Sequence, residues 1–276
     1  MQARQTQNRS GRASAIMAAI CFVAAAISPA YALDPPPRIE RIKAAGELRV
    51  CTWPGYYAIS FRNPRNGELQ GIDIDLAQAF ASDLGIKAKF VETSFGAFMD
   101  DLEQDRCDIA MFAIGDTPAR RQRVDMSAPH LRSGMYAITT RTSATIKTWD
   151  DLDKPGNVIA VQLGTVMEPY MRANLKAAQL NVVTPPSTRE EELLAGRADA
   201  FMTDYPYAQR MRFQHDWAAV VAPPKPVAET NYGYAVRKGE GAWLDTVNAF
   251  VARIKSDGRL LKAAQTHGLE PIVVKD

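Results

Sequence analysis

The chain has 276 residues, of which 46% are hydrophobic and 23% charged, with 33 basic and 31 acidic side chains. Such a balanced charge lacks the basic field expected of a protein that binds nucleic acid or an anionic membrane. The composition indicates a globular protein, and the length suffices for one large domain or two modest ones.

The first 32 residues have the features of a secretory signal peptide. Three arginines precede a short apolar run, and Ala30-Tyr31-Ala32 is a small-x-small cleavage site. Cleavage after Ala32 would leave about 244 residues with 30 basic and 31 acidic side chains, a net charge of −1. Cys21 follows Ile20, where a lipoprotein signal normally has a small residue, so we assign Cys21 to the discarded segment.

The remaining cysteines are Cys51 and Cys107. A signal peptide would direct the protein to an oxidising compartment, where disulfides can form. Cys51 ends one predicted strand and Cys107 precedes another, which would stagger them, so a bridge and two buried thiols both stay open. The histidines, His130, His215 and His267, show no ligand spacing, and no structural metal is expected.

Helices and strands alternate in the first part of the mature chain. The predicted order is a helix through Ala45, strand 47–52, an aromatic-rich loop 53–61, a hairpin turn 63–67, a helix from Asp73, strand 88–92, helix 95–103 and strand 109–114. This alternation predicts an open α/β sheet. At the helix after the hairpin, Asp73 is expected to cap the first turn and Asp75 to lie within it.

The segment Thr117-Pro118-Ala119-Arg120 predicts another helix start. Thr117 is a good cap and Pro118 a good first helical residue. Arg120 then lies where free backbone N–H groups and a planar cation could bind a carboxylate together.

A second α/β unit follows. It consists of strands 136–141, 158–161, 180–183 and 200–202 with helices from Thr165, Thr188 and Asp204. Strand 232–237 and helices 242–255 and 259–266 are too few for a third domain, so the chain is expected to return to the first unit. The predicted division is lobe 1 over 33–137, lobe 2 over 138–231 and a lobe 1 return segment over 232–276.

Two crossings between lobes would form a hinge that permits closure around a ligand. In open α/β sheets, ligands bind beyond the carboxyl ends of the strands. Tyr56 and Arg120 fall there in lobe 1, and Thr165 and Asp204 fall there in lobe 2, so we expect one cleft between the lobes.

The chain resembles the amino-acid-type periplasmic solute-binding proteins that serve ABC importers, bacterial extracellular solute-binding protein family 3. The resemblance covers residues 38–269. It rests on six segments in the family's order: Gly71-Ile72-Asp73-Ile74-Asp75-Leu76-Ala77, Thr117-Pro118-Ala119-Arg120, Val124-Asp125-Met126-Ser127-Ala128-Pro129, Arg132-Ser133-Gly134, Gly164-Thr165 and Gly196-Arg197-Ala198-Asp199-Ala200.

The resemblance implies roles for several residues. Arg120 would bind the ligand α-carboxylate with help from Thr165, Asp204 would bind the α-ammonium, and Tyr56 and Phe95 would sandwich the ligand side chain. From the residues alone, Trp53 or Tyr57 could replace Tyr56, Phe95 could be core, and Asp204 could simply cap its helix.

The resemblance also marks Ala113, Gly115 and Gln162 as ligand-binding positions. Gly115 stands where many members have a threonine, so one hydroxyl is missing. No acid is placed to receive a lysine or arginine side chain, which favours a neutral or acidic ligand. The expected ligand is a small amino acid or carboxylate, and the expected partner is an ABC permease of the inner membrane. The resemblance also implies that the protein is a periplasmic monomer, without a cofactor and without catalytic activity.

Two alternative functions stay open. A periplasmic cyclohexadienyl dehydratase, which acts on prephenate or arogenate, shares this fold, and Glu168 would then be the catalytic acid. The sequence Thr165-Val166-Met167-Glu168 instead predicts a capping box, in which Glu168 accepts a hydrogen bond from the N–H of Thr165. A ligand-sensing module for a membrane receptor is the other alternative.

Overall fold

The computed structural model describes residues 36–275, so the predicted signal peptide, its cleavage site and Cys21 lie outside the described residues. The α-helices in this range are α1 (Arg38–Ala45), α2 (Ile72–Asp83), α3 (Phe98–Glu103), α4 (Pro118–Arg121), α5 (Met167–Asn174), α6 (Arg189–Leu194), α7 (Tyr205–Gln214), α8 (Gly241–Ser256) and α9 (Arg259–Thr266). The strands are β1 (Glu47–Thr52), β2 (Gly55–Tyr56), β3 (Ser60–Arg62), β4 (Leu69–Gln70), β5 (Lys87–Glu92), β6 (Ile109–Gly115), β7 (Val124–Met126), β8 (Leu131–Ser133), β9 (Met135–Thr140), β10 (Val158–Gln162), β11 (Gln179–Val183), β12 (Ala200–Asp204), β13 (Ala218–Val221) and β14 (Thr230–Arg237).

The first sheet has the strand order β5-β1-β6-β14-β7, with β8 hydrogen-bonded to β14. β1 runs parallel to β5 and β6, whereas β14 runs antiparallel to β6. The strand β6 is buried along its whole length, as expected of a strand covered on both faces. The small sheet β2-β3-β4 contains the hairpin that the sequence predicts.

The second sheet has the order β11-β10-β12-β9-β13. β10 is parallel to β11 and β12, and β9 is antiparallel to β12 and β13. Helices α5, α6 and α7 contact its strands. Two α/β sheets, each with helices against it, confirm the predicted fold class.

The chain passes from the first sheet to the second at Gly134 and returns between β13 and β14. The predicted lobe boundaries, after residues 137 and 231, each fall inside a strand, since β9 belongs wholly to the second sheet and β14 wholly to the first. An apolar run indicates a strand, but it does not indicate which of the two sheets the strand joins. The exact lobe boundaries stay a prediction.

The larger apolar cluster lies against the first sheet. Phe80 of α2 stacks on Trp243 and Phe250 of α8, with ring centroids 5.6 and 4.4 Å apart. Helix α8, late in the chain, thus buries its apolar face against the early helix α2. A smaller cluster, which includes Met135, Met171 and Met202, lies in the second sheet.

Two predicted helices begin later than expected. α3 begins at Phe98 rather than Phe95, because the Ala97 N–H donates to the Ser94 carbonyl in a turn (3.1 Å). α5 begins at Met167 rather than at Thr165, which follows a turn at Gly164. Strands β7, β8 and β13 have three or four residues each, which is too short to show a period, and the sequence did not predict them.

The prediction that Asp73 caps α2 is wrong. The helix begins one residue earlier, at Ile72, and its N-cap is Gly71, which has no side chain to offer. Asp73 is instead fully buried, where its carboxylate accepts hydrogen bonds from the Ala113 N–H (2.7 Å) and the Tyr234 hydroxyl (3.1 Å). His130 Nε2 lies 3.2 Å from the same carboxylate. Asp73 therefore connects α2 to the first sheet.

Replacing Asp73 by alanine should lower the free energy of unfolding by about 3 kcal/mol, because it leaves buried donors without an acceptor. Urea unfolding followed by circular dichroism measures this loss. Asp75→Ala is the matched control, since Asp75 is exposed in the same helical turn and pairs with His267; it should cost less than about 1 kcal/mol. Equal losses in the two variants would contradict the structural role of Asp73.

Cys51 and Cys107 form a disulfide, with Cα atoms 5.6 Å apart. The register of β1 and β6 places Cys51 opposite Ala110, three residues beyond Cys107, as the predicted stagger requires. The chain bends at Asp108, however, so Cys107 does not continue the line of the strand. This bend brings the two cysteines together and resolves the alternative that the sequence left open.

Candidate ligand-binding site

Arg120 lies on the short helix α4, whose start matches the prediction. Thr117 is the N-cap, and its hydroxyl accepts a hydrogen bond from the Arg120 N–H (3.2 Å), while Pro118 is the first helical residue. The Arg120 side chain turns back from this helix and is only 5% exposed. Its Nη1 donates to the Gly115 carbonyl (2.7 Å), and its Nη2 donates to the Gly164 carbonyl (2.9 Å). Because Gly164 follows β10 of the second sheet, the guanidinium bridges the two lobes.

The Arg120 guanidinium is a buried cation whose acceptors are carbonyl groups. Within residues 36–275, no carboxylate oxygen lies within 4.0 Å of its nitrogens. It stands over the rings of Phe95 (5.6 Å) and Phe98 (5.5 Å). Burial lowers the pKa of Arg120 to about 10, so the group stays charged at neutral pH. Such a site favours an anion, which would compensate the cost of burying the charge.

Asp204 is the acidic group of the same cavity. It is the N-cap of α7, where its carboxylate accepts from the Tyr207 N–H (3.4 Å), as the capping prediction requires. The hydroxyls of Tyr232 (2.8 Å) and Tyr56 also donate to it. Burial raises the pKa of Asp204, and these hydrogen bonds oppose the increase by stabilising the carboxylate. Since Tyr56 and Tyr232 belong to β2 and β14, Asp204 too is bonded across the cleft.

These residues enclose a cavity of about 30 Å³, which has room for about two water molecules. An aromatic wall forms one side, where the ring of Trp53 lies 5.6 Å from that of Tyr56 and 5.4 Å from that of Phe95. The Phe95 ring also packs on Phe112 of the core (5.0 Å), so Phe95 contacts both the core and the cavity.

The structure brings seven of the predicted site residues together in the cavity lining: Tyr56, Phe95, Ala113, Gly115, Arg120, Thr165 and Asp204. Gln162 lies outside the lining, because its side-chain amide donates to the Val183 carbonyl of the neighbouring strand (3.1 Å). Of the two tyrosines in the aromatic loop, Tyr57 turns away from the cavity and packs on Phe61 (5.1 Å).

The predicted capping box at Glu168 is wrong. Thr165 donates its hydroxyl to the Gln162 carbonyl (2.8 Å), and the N-cap of the helix is Val166, so the helix begins one residue later than the box requires. Glu168 does turn back, but its carboxylate accepts from the Gly164 N–H (3.0 Å) and from Arg172 (3.0 Å). It is not part of the cavity lining.

The sequence prediction missed several lining residues: Val166, Met167, Arg189, Thr203, Tyr207 and Tyr232. Thr203 and Val166 adjoin predicted residues, so adjacency was a usable signal. Arg189 and Tyr232 come from the start of α6 and from the returning strand β14, and no local pattern indicates them. A side chain at position 115 would clash with the opposite wall of the cavity, since a Cβ atom there would lie 2.6 Å from Val166 Cγ1. The observed packing around the cavity therefore requires Gly115.

Residues 36–275 contain no cluster of three or more histidine, cysteine, aspartate or glutamate side chains arranged to hold a metal ion. None of the helices in this range combines the length and the apolar character that crossing a membrane requires.

Comparison with known proteins identifies the family. Residues 48–270 match the model of bacterial extracellular solute-binding proteins, family 3. The chain is 33% identical to the cyclohexadienyl dehydratase of Pseudomonas aeruginosa, over 84% of this chain and 86% of the relative, and 29% identical to the L-cystine-binding protein TcyJ of Escherichia coli, over 80% and 82%. A solved amino acid ABC transporter substrate-binding protein from Streptococcus pneumoniae, bound to L-arginine, is 27% identical with a TM-score of 0.76, over 87% of this chain and 100% of that one. The predicted resemblance is confirmed: this chain belongs to the family 3 extracellular solute-binding proteins, which are periplasmic and bind amino acids.

Proposed function

We propose that this protein captures a small amino acid between its two lobes and delivers it to an ABC permease of the inner membrane. The observation that carries the proposal is a pair of buried, oppositely charged side chains, Arg120 and Asp204, in the lining of one cavity. A zwitterion needs a planar cation for its carboxylate and an acceptor for its ammonium group. Thr165 would support the carboxylate, and Tyr56 and Phe95 would flank the ligand side chain.

Closure of the lobes would accompany binding. A cavity with room for about two water molecules is too small for an amino acid, so entry requires the lobes to separate. Three hydrogen bonds between the lobes oppose this separation. Arg120 donates one to the Gly164 carbonyl, and Tyr56 and Tyr232 each donate one to Asp204. A ligand that replaces these contacts with stronger ionic ones would shift the population toward the closed state.

Replacing Tyr56 by phenylalanine should therefore favour the open state. A hydrogen bond to a charged group contributes about 1.5–3 kcal/mol, which corresponds to a shift of roughly 10- to 150-fold in the ratio of closed to open protein. Small-angle scattering should record a larger radius of gyration than for the unmodified protein. Tyr57→Phe is the control, because Tyr57 lies outside the cavity lining. Identical scattering from all three proteins would contradict a closure held by Tyr56.

A thermal-shift screen against the common amino acids, followed by calorimetry, tests the proposed function. A ligand at a hundred times its dissociation constant stabilises the folded protein by about 2.7 kcal/mol. We expect a neutral or acidic amino acid to give this shift and lysine and arginine to give less, since the lining has two arginines and one acid. The absence of any shift across the screen would overturn the proposal.

A second candidate function, dehydration of prephenate or arogenate, is favoured by the 33% identity to the Pseudomonas dehydratase. In this alternative Glu168 is the acid, although its carboxylate is bonded to the Gly164 N–H and Arg172 outside the cavity lining. Incubation with prephenate and detection of phenylpyruvate absorbance distinguishes the two functions. Turnover that is lost in Glu168→Gln would establish the enzyme; no turnover would leave amino-acid capture as the function.

The cellular context is part of the same proposal. We infer that the signal peptide is cleaved after Ala32 and that the mature protein is a periplasmic monomer. N-terminal sequencing of the exported protein tests the cleavage site, and light scattering tests the oligomeric state. A ligand-dependent complex with a permease, rather than with a membrane receptor, distinguishes transport from sensing.

A further inference from the structure

Arg189 is a second buried cation of the cavity, and the family resemblance assigned it no role. It is the first residue of α6, is 5% exposed and lines the same cavity as Arg120. Its Nη1 donates to the Met202 carbonyl (2.7 Å), and its guanidinium lies over the rings of Phe201 (5.2 Å) and Tyr207 (4.7 Å). Its buried Nε has no hydrogen-bond partner within residues 36–275. The packing therefore holds the side chain in place without satisfying all of its donors.

The acids next to Arg189 in sequence do not neutralise it. Glu190 accepts a hydrogen bond from the Tyr207 hydroxyl, Glu191 forms the capping box with Thr188, and Glu192 pairs with Arg197. Nowhere between residues 36 and 275 does a carboxylate oxygen come within 4.0 Å of an Arg189 nitrogen. Three successive glutamates are thus engaged elsewhere. Within residues 36–275 the guanidinium lines the cavity without a direct ion pair, and Asp204 interacts with it only through space.

The charges of the cavity lining do not balance. Arg120 and Arg189 supply two positive charges, and Asp204 supplies one negative charge. An amino acid with a neutral side chain would pair its carboxylate with Arg120 and its ammonium with Asp204, and it would leave Arg189 buried without an anion. A second carboxylate on the ligand would complete the balance, and a buried cation strongly favours such a partner.

We propose that the site selects acidic amino acids, with the side-chain carboxylate bound by Arg189. This inference rests on the proposed capture of an amino acid by Arg120 and Asp204, and it adds the class of ligand. Arg189 would then determine specificity, because it comes from α6 of the second lobe, whereas Arg120 comes from α4 of the first.

A purely structural role for Arg189 makes a different prediction. If the side chain only joins α6 to the Met202 carbonyl and the two aromatic rings, its removal should weaken binding of every amino acid by a similar factor. If it binds a ligand carboxylate, its removal should weaken binding of acids and spare their amides. Glutamate with glutamine, and aspartate with asparagine, are matched pairs in shape that differ in this one charge.

Calorimetric titration of both pairs against the unmodified protein, Arg189→Met, Arg189→Lys and Arg210→Met is the test. The unmodified protein should bind the better acid at least tenfold more tightly than its amide. Arg189→Met should abolish this ratio while amide binding stays within about threefold, since methionine keeps much of the side-chain volume without the charge. Arg189→Lys should keep part of the ratio, since lysine has the charge but not the planar guanidinium. Arg210→Met is the matched control, because Arg210 also lies over the Tyr207 ring (5.1 Å) but is outside the cavity lining; it should keep the full ratio.

Several outcomes would overturn the inference. Equal affinity of the unmodified protein for acid and amide would do so, as would an equal loss of both in Arg189→Met, and amino-acid capture would stand in either case. If no amino acid binds the unmodified protein, the proposed function fails and this inference fails with it. If Arg189→Met does not fold, the ratio of acid to amide affinity in the unmodified protein, and its decrease in Arg189→Lys, still test the inference.

Discussion

Replacing Arg120 by methionine should weaken binding of the captured amino acid by about 2–5 kcal/mol, which is about 30- to 4,000-fold in the dissociation constant. The guanidinium is buried and planar, and we propose that it binds the ligand α-carboxylate by two hydrogen bonds. Methionine keeps much of the side-chain volume and its contact with the Phe95 and Phe98 rings, but it removes the charge. Calorimetry with the amino acid found in the screen measures the loss.

Arg121→Met is the control for this experiment. Arg121 is the next residue of the same short helix, but it is exposed and its guanidinium pairs with Asp116 at 2.6 Å. Exposed ion pairs contribute at most about 1 kcal/mol to stability, and Arg121 does not line the cavity. Its replacement should leave the dissociation constant unchanged. Unchanged affinity in Arg120→Met, or a comparable loss in Arg121→Met, would refute the assignment of the carboxylate site.

Removal of the disulfide should produce the largest loss of stability. Cys51 and Cys107 are separated by 56 residues along the chain, and closing a loop of that length in the unfolded state corresponds to about 4 kcal/mol of stability in the chain-entropy model. The Cys51→Ala/Cys107→Ala variant should lose about this amount in urea unfolding. Alanine is preferred to serine because both positions are fully buried and a hydroxyl there would need a partner.

The reduced unmodified protein is the matched comparison for the alanine variant, since it keeps the sulfur atoms and loses only the cross-link. It should show most of the same loss, and the remaining difference reports the lost side-chain volume. Stability that is the same with and without reductant would show that the cross-link contributes nothing, and a loss confined to the alanine variant would attribute the effect to packing.

The sequence was sufficient for those features that depend on local pattern. The alternation of apolar strands and helices predicted two α/β sheets, and Thr117 with Pro118 predicted the helix start that carries Arg120. The Asp204 cap was also predictable, because aspartate before Tyr-Pro is a local signal for the start of a helix. In each case the residues that determine the structure are neighbours along the chain.

Features that depend on distant residues were not predictable. Asp73 resembles a helix cap in sequence, but its acceptors are used by Ala113 and Tyr234, which lie 40 and 161 residues away. Glu168 resembles a capping box, yet the turn at Gly164 moves the helix start and changes its partner. In the sequence, Arg189 is one of several charged residues at the start of a helix, and nothing nearby marks it as a binding residue. Only the packing of α6 against β12 places it at the cavity.

A crystal structure of the protein with its tightest-binding amino acid would test the central claim most directly. We predict the ligand α-carboxylate within about 3 Å of the Arg120 guanidinium and the ammonium group at a similar distance from Asp204. A ligand bound elsewhere, or one in this cavity with neither of its charged groups on these side chains, would contradict the account.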